Sequence, residues 1–259
     1  MPEAHLRVDL RDDGSLWLTL DRPEVLNAFS DEMALALAEE LEAAHARDDV
    51  RAVVVTGAGD AFSAGADISA DDAHERLDVR AVEAANRMVR AVTGCAKPVV
   101  AGVRGVAAGV GCSIAVAADL QVVAESANFL LAFARIGLMP DGGTSATVAA
   151  AVGRPRAMRM ALLGEPLTGR EAYDAGLVSH LVTDEEHDAA LETLVRRLVR
   201  GAPLAQSATK RAVNAATLSQ LEPALDRERS GQSLLLRTAD AAEGMRAFRE
   251  RRRPEFGGS

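Results

Sequence analysis

Three short runs constrain most strongly what this chain can fold into. Ala52-Val-Val-Val-Thr56, Pro98-Val-Val-Ala-Gly-Val103 and Leu120-Gln-Val-Val-Ala124 are apolar, rich in β-branched residues and each about one strand long. The first suits a strand covered on both faces, the second reads as another buried strand, and the third reads as a strand too. Small-residue loops follow the first two, over Gly57 to Asp67 and over Gly105 to Gly111. A helix with an apolar stripe (Val82, Ala85, Met88, Val89, Val92) comes after the first loop, and a short helix after the second. Strand, loop and helix recur at spacings too irregular for a solenoid. The pattern predicts an α/β chain with a covered sheet.

The flanks fit that frame. Leu6-Arg-Val-Asp-Leu10 and Leu16-Trp-Leu-Thr-Leu20 alternate apolar and polar residues around Asp12-Asp-Gly14, which predicts a β-hairpin. Ser30 reads as the N-cap of a helix whose first turn carries Asp31 and Glu32, and whose apolar face is Met33, Leu37, Leu41 and Ala44. From about Gly153 the pattern turns mainly helical, with Leu177 to Val182 as a last strand. Gly201-Ala-Pro203 punctuates the chain, and Leu204 to Phe248 reads as amphipathic helices. We therefore expect a core over residues 1–200 and a helical region over residues 201–259. The basic tail Arg249 to Arg253 reads as a solvated helix end, with a contact to an anionic ligand as the alternative.

Composition excludes several functions. The chain has 259 residues, 48% of them hydrophobic and 26% charged, so it can bury a substantial core. Its net charge of −9 leaves no basic field to collect phosphate backbones, which argues against nucleic-acid binding. Met1 to Leu10 carries Glu3, Arg7 and Asp9 with no apolar run, unlike a signal peptide. The most apolar stretch, Val99 to Val123, contains four glycines, Arg104 and Asp119, and reads as core and loop instead of a membrane span. Cys95 and Cys112 lack CxxC spacing and cannot form a disulfide framework. A reduced, cytoplasmic location is expected.

Familiar catalytic motifs are missing. His5, His45, His74, His180 and His187 form no HExxH or other close pair, so no metal site is expected. Ser113 has no GxSxG elbow, and no GxxxxGK[ST] loop occurs. Gly57-Ala-Gly59 lacks the third glycine of a dinucleotide fingerprint, having Phe62 there. What remains are the two small-residue loops and Ile136-Gly-Leu-Met-Pro-Asp-Gly-Gly-Thr144. The loops read either as tight turns without chemistry or as places where backbone N–H groups converge on a ligand, as an oxyanion site needs. Asp141, between a proline and a glycine pair, reads as a turn former or helix N-cap.

At these residues the chain resembles the crotonase superfamily, the enoyl-CoA hydratase/isomerase family. The matching pieces are Asp21-Arg-Pro-Glu-Val-Leu-Asn-Ala28, Val55 to Asp67, Lys97 to Val103, Gly105 to Asp119, Gly137 to Gly143, Ala172 to Val178 and Glu243 to Phe248. The resemblance implies a spiral of ββα units with a C-terminal helical region that serves for oligomerisation and as active-site cover. It also implies a homotrimer or homohexamer, and an acyl-CoA substrate whose coenzyme A is part of the thioester, with no separate cofactor. It places two oxyanion N–H donors at Ala66 and Val110, where the family often has glycine at the second position. It makes Arg22 and the backbone of Ala64 to Ile68, with Asp67 among them, neighbours of the coenzyme A, and Arg251 a weaker candidate. Gly109, Ser113, Phe133, Leu138 and Met139 would lie near the acyl group. Asp67 and Asp119 also admit a purely structural reading.

Two departures decide the expected activity. Hydratases of the family hold water between two glutamates, and Ser113 stands at the first of those positions. Phe133, or Ala132 in a register shifted by one, stands at the second. Asp141 instead lies in a context similar to that of 1,2-epoxyphenylacetyl-CoA isomerase-like members, where an aspartate is the acid/base. A dehalogenase of the superfamily also uses an aspartate there, but Phe133 replaces its tryptophan. The resemblance thus implies an isomerase that shifts a proton through an enolate, using Asp141 alone. A hydratase with a rearranged site and a non-catalytic acyl-CoA-binding protein are the alternatives.

Overall fold

In the computed structural model, residues 5–70 and 73–259 are described. The first four residues of the Met1–Leu10 segment therefore lie outside the described part. Alternation does produce the hairpin: β1 (Leu6–Leu10) pairs antiparallel with β2 (Ser15–Leu20). After α1 (Asp31–Ala46), the apolar runs become β3 (Ala52–Gly57), β4 (Val99–Val103) and β6 (Leu120–Ala124). With β9 (His180–Val182) they form a six-stranded sheet ordered β1-β2-β3-β4-β6-β9, parallel from β2 onward. Only the last three residues of the expected Leu177–Val182 strand lie in the ladder; just before them the Ser179 hydroxyl bonds the Gln121 backbone, accepting from its N–H and donating to its carbonyl, both at 2.8 Å.

Residue alternation on this sheet feeds two cores. Leu16, Leu18, Leu20, Val53, Val55, Ala101 and Val123 face the larger one with α1 and with α3 (Val79–Gly94). Trp17, Val54, Val100 and Val122 face a smaller one, closed by Leu191, Leu194 and Val195 of α7 (His187–Val199). Both faces are covered, as the unbroken apolar runs require. Ser30 caps α1 by accepting from the Met33 N–H, and Met33, Leu37, Leu41 and Ala44 are all buried.

The Gly105–Gly111 segment is more ordered than a loop. It contains the short strand β5 (Val106–Ala108), and α4 (Val110–Ala117) begins before Gly111. β5 pairs with β7 (Asn128–Leu130), which pairs with β8 (Leu167–Thr168) in a second, three-stranded sheet. The partners that order it are remote in sequence, so no local pattern announces the strand. The chain is completed by α2 (Ala73–Arg76), α5 (Thr144–Leu163), α6 (Gly169–Asp174), α8 (Pro203–Thr217), α9 (Leu221–Leu235) and α10 (Ala239–Arg249). α5 bends at Gly153, which has non-helical angles two residues before Pro155. Together these elements give an α/β fold of repeated ββα-like units with a C-terminal helical region, as expected. No helix among the described residues is long and apolar enough to cross a membrane.

Candidate active site

Two backbone bridges bring the small-residue loops side by side. Ser63 pairs with Ala107, so that the Ala108 N–H donates to the Ser63 carbonyl at 2.9 Å. Phe29 pairs with Ala66: the Phe29 N–H donates to Gly65 O and the Asp67 N–H to Phe29 O. In such a parallel bridge the N–H of Ala66 itself is turned away from Phe29. Val110 is the first residue of α4, so its N–H has no acceptor within the helix. Gly65 is indispensable to the approach. Its φ is +96°, and a Cβ there would stand 2.8 Å from the Ala108 carbonyl oxygen. The result is two donor N–H groups on touching loops, with Ala66 exposed and Val110 just beneath the surface.

Asp141 lies one turn of α4 away. Ser113, three residues after Val110 and fully buried, donates its hydroxyl to Asp141 O at 3.1 Å and to Gly109 O at 3.2 Å. A helical turn rises about 5.4 Å, which sets the scale of the separation between that segment and the Val110 N–H. Asp141 is 8% exposed. Its Oδ2 accepts from Gln232 Nε2 at 3.0 Å, whereas its buried Oδ1 has no hydrogen-bond partner. Burial pushes the carboxyl up to about 7; the Gln232 amide opposes that rise and the negative charge of Glu228 adds to it.

Asp141 does open a turn, its carbonyl accepting from the Thr144 N–H at 3.4 Å, but the helix-cap reading is corrected. The N-cap of α5 is Gly143, which has no side chain, and Asp141 contributes only its backbone carbonyl, accepting from Thr144 Oγ1 at 2.9 Å. The carboxylate that serves this helix start comes from α9. Glu228 accepts from the Gly143 N–H at 2.6 Å and from the Ser145 N–H at 2.9 Å. Gln232, one turn later, accepts from the Met139 N–H at 3.1 Å and donates to Met139 O at 2.9 Å. Sequence reasoning missed both residues. A signal existed: Leu221, Ala224, Leu225, Glu228 and Gln232 continue one buried stripe, so two polar residues fall on the face that packs inward.

Comparison with known proteins shows the family. The sequence pattern described as "Enoyl-CoA hydratase/isomerase" matches residues 11–259. The chain belongs to the enoyl-CoA hydratase/isomerase family. It is similar to the 1,2-epoxyphenylacetyl-CoA isomerase of Escherichia coli K12, at 38% identity over 95% of each chain. It is also similar to the 2,3-dehydroadipyl-CoA hydratase of the same organism, at 35% identity over 94% of this chain and 95% of that one. Among solved structures, an enoyl-CoA hydratase from Mycobacterium avium subsp. paratuberculosis K-10 superposes with a TM-score of 0.93. That pair shares 46% identity and covers 99% of this chain and 100% of the other. At family level this is an acyl-CoA-processing enzyme, and its relatives include both an isomerase and a hydratase.

As a member of that family, the chain places the remaining expected residues as follows. Phe133 is buried, and a Cβ placed on Gly109 would stand 3.8 Å from the tip of its ring. Leu138 packs half-buried against the main core, and the Met139 sulfur lies against Gly231 of α9. Arg22 forms an ion pair with Asp67 at 2.9 Å and donates to Ala28 O at 2.8 Å. Burial raises the Asp67 carboxyl, but hydrogen bonds from Ser69 and Arg22 outweigh it and leave the group below the usual range. Both side chains thus brace the segment that contains Ala66 at its far end, one residue beyond Ala66. The Ala64 N–H is committed to Leu26 O, and Ile68 is half-buried beyond Asp67. Arg251 is exposed beyond α10 with φ of +54°. Asp119 accepts from the Val99 N–H and pairs with Lys210 at 2.8 Å, a tie between the sheet and α8.

Proposed function

We propose that the protein isomerises an enoyl-CoA or related acyl-CoA by a proton shift through an enolate, with Asp141 as the sole acid/base. The observation that carries this reading is the state of the Asp141 carboxyl, which has one oxygen tethered, one free and a proton affinity near neutrality. Such a group can both take and return a proton at pH 7. On a 3-enoyl thioester, Asp141 removes a proton from the carbon α to the carbonyl. The electron pair moves toward the thioester oxygen, where the Ala66 and Val110 N–H groups stabilise the negative charge. Asp141 then delivers the same proton to the γ-carbon, and the double bond moves into conjugation. One base on one face of a planar dienolate suffices, and no water is consumed.

The site also lacks a carboxylate where the resemblance places the hydratase glutamates. Ser113 stands at the first position with its hydroxyl given to two carbonyls, and Phe133 stands at the second. The C-terminal helices leave Leu204, Val213, Leu234 and Phe248 exposed, which supports association of the chain with further copies, and the state we propose is a homotrimer or homohexamer in the cytoplasm.

The test uses 3-hexenoyl-CoA and follows the appearance of conjugated-enoyl absorbance. Asp141→Asn should lower turnover by about 10²–10⁴-fold while acyl-CoA binding persists. Unchanged turnover in that variant refutes the role. Loss of absorbance from crotonyl-CoA with the wild type would instead identify water addition. Tight thioester binding with no product across a wide panel would identify a binding protein.

A further inference from the structure

The deepest polar side chains of α9 are not used by the chemistry above, yet they converge on Asp141. We propose that Gln232 is a positioning residue that ties down Oδ2 of Asp141 and so assigns proton transfer to Oδ1, with Glu228 fixing the backbone beneath it. This rests on the proposed isomerase reading and adds a specific division of labour to it.

The geometry is over-determined. Gln232 is 2% exposed, and its amide is fixed in orientation because the oxygen accepts from the Met139 N–H while the nitrogen donates to Met139 O. With both ends occupied, the remaining amide hydrogen points at Asp141 Oδ2, and the tether cannot rotate away. Glu228 is wholly buried, and its two oxygens accept from backbone N–H groups on either side of Thr144. The pair therefore grips residues 139 and 143–145 from a single helix face, with Asp141 between them. Other elements meet this segment with neutral groups: Ser113 from α4 and Val89 from α3 against Gly142, and Thr144 from α5. Glu228 is the charged side chain acting on Asp141 among the described residues.

The two α9 residues act on Asp141 with opposite sign. The Gln232 donor favours the carboxylate, and the Glu228 charge disfavours it. A purely structural pair would not separate in this way. The experiment follows the Asp141 carboxyl by ¹³C NMR titration and, in parallel, the pH dependence of kcat/KM for 3-hexenoyl-CoA isomerisation. Asp141→Asn serves to assign the resonance. Gln232→Met should move the midpoint upward by on the order of one pH unit and lower kcat at pH 7 with little change in KM. Glu228→Gln, which keeps an acceptor for one backbone N–H, should move it downward. If Gln232→Met does not fold, Gln232→Glu replaces it, and its added negative charge should also shift the midpoint upward. Midpoints that stay in place, or move in the same direction in both variants, overturn the assignment to α9. Because the titration is read without substrate, that failure is distinct from failure of the isomerase reading, which shows as undiminished turnover in Asp141→Asn.

Discussion

Burial of a carboxyl with an unpartnered oxygen opposes folding, and at Asp141 that opposition has a definite pH dependence. The folded protein holds the proton up to about pH 7, whereas the unfolded chain releases it in the ordinary carboxylate range. Between those limits the native state binds more protons, so this group's contribution to stability falls as pH rises from about 4 to about 7. Asp141→Asn removes the cost of burying the charge. It should therefore raise the melting temperature, by more at pH 8 than at pH 5, even as it removes turnover. Thermal unfolding at the two pH values checks this, and an equal effect at both contradicts it. Residue-level legibility was partial for the same physical reason. Asp141 stands out in its Pro-Asp-Gly-Gly turn, but whether its carboxyl is spent as a helix cap depends on Glu228. That residue lies 85 positions away from Gly143 in the chain, and nothing local reveals the contact.

Elements behave differently, because their periodicity is local. The hairpin, α1, α3 and the three buried strands follow from alternation or helical spacing that any window displays. β5 does not, since its order comes from Ser63 and β7. The close packing of these parts gives a sharp prediction. A Cβ at Gly111 would stand 2.7 Å from Ser63 Cβ and 2.8 Å from the Ser63 carbonyl oxygen. Gly111→Ala must push α4 away from the Ser63–Ala66 loop and so part the two oxyanion donors. A stability loss of about 1–3 kcal/mol in urea unfolding should accompany a drop in kcat. Beside the starts of β4 and β6, the Lys210 side chain, 7% exposed, reaches Asp119, Val92 O and Lys97 O from α8. Lys210→Met leaves the half-buried Asp119 carboxylate without its cation and should cost about 1–3 kcal/mol, measured by the same unfolding.

At the scale of the molecule, the sheet and its helical covers bring three remote segments together: residues 63–67, residues 107–113 and residues 139–145. The C-terminal region then secures the third through α9. Assembly should appear in sedimentation as a species of three or six times the 27.2 kDa chain mass, and a stable single-chain species would contradict it. Fold class could be read from the sequence because covered strands and small-residue loops are chain-local signals. The α9 contribution could not, because only the packed molecule sets Gln232 against Asp141. The most direct measurement is a crystal structure with an unreactive 3-enoyl-CoA analogue. The account predicts the thioester oxygen on the Ala66 and Val110 N–H groups, and Asp141 Oδ1 about 3–3.5 Å from both the α- and γ-carbons on one face. An Asp141 carboxyl turned from the acyl chain, or a different pair of carboxylates flanking it, would contradict it.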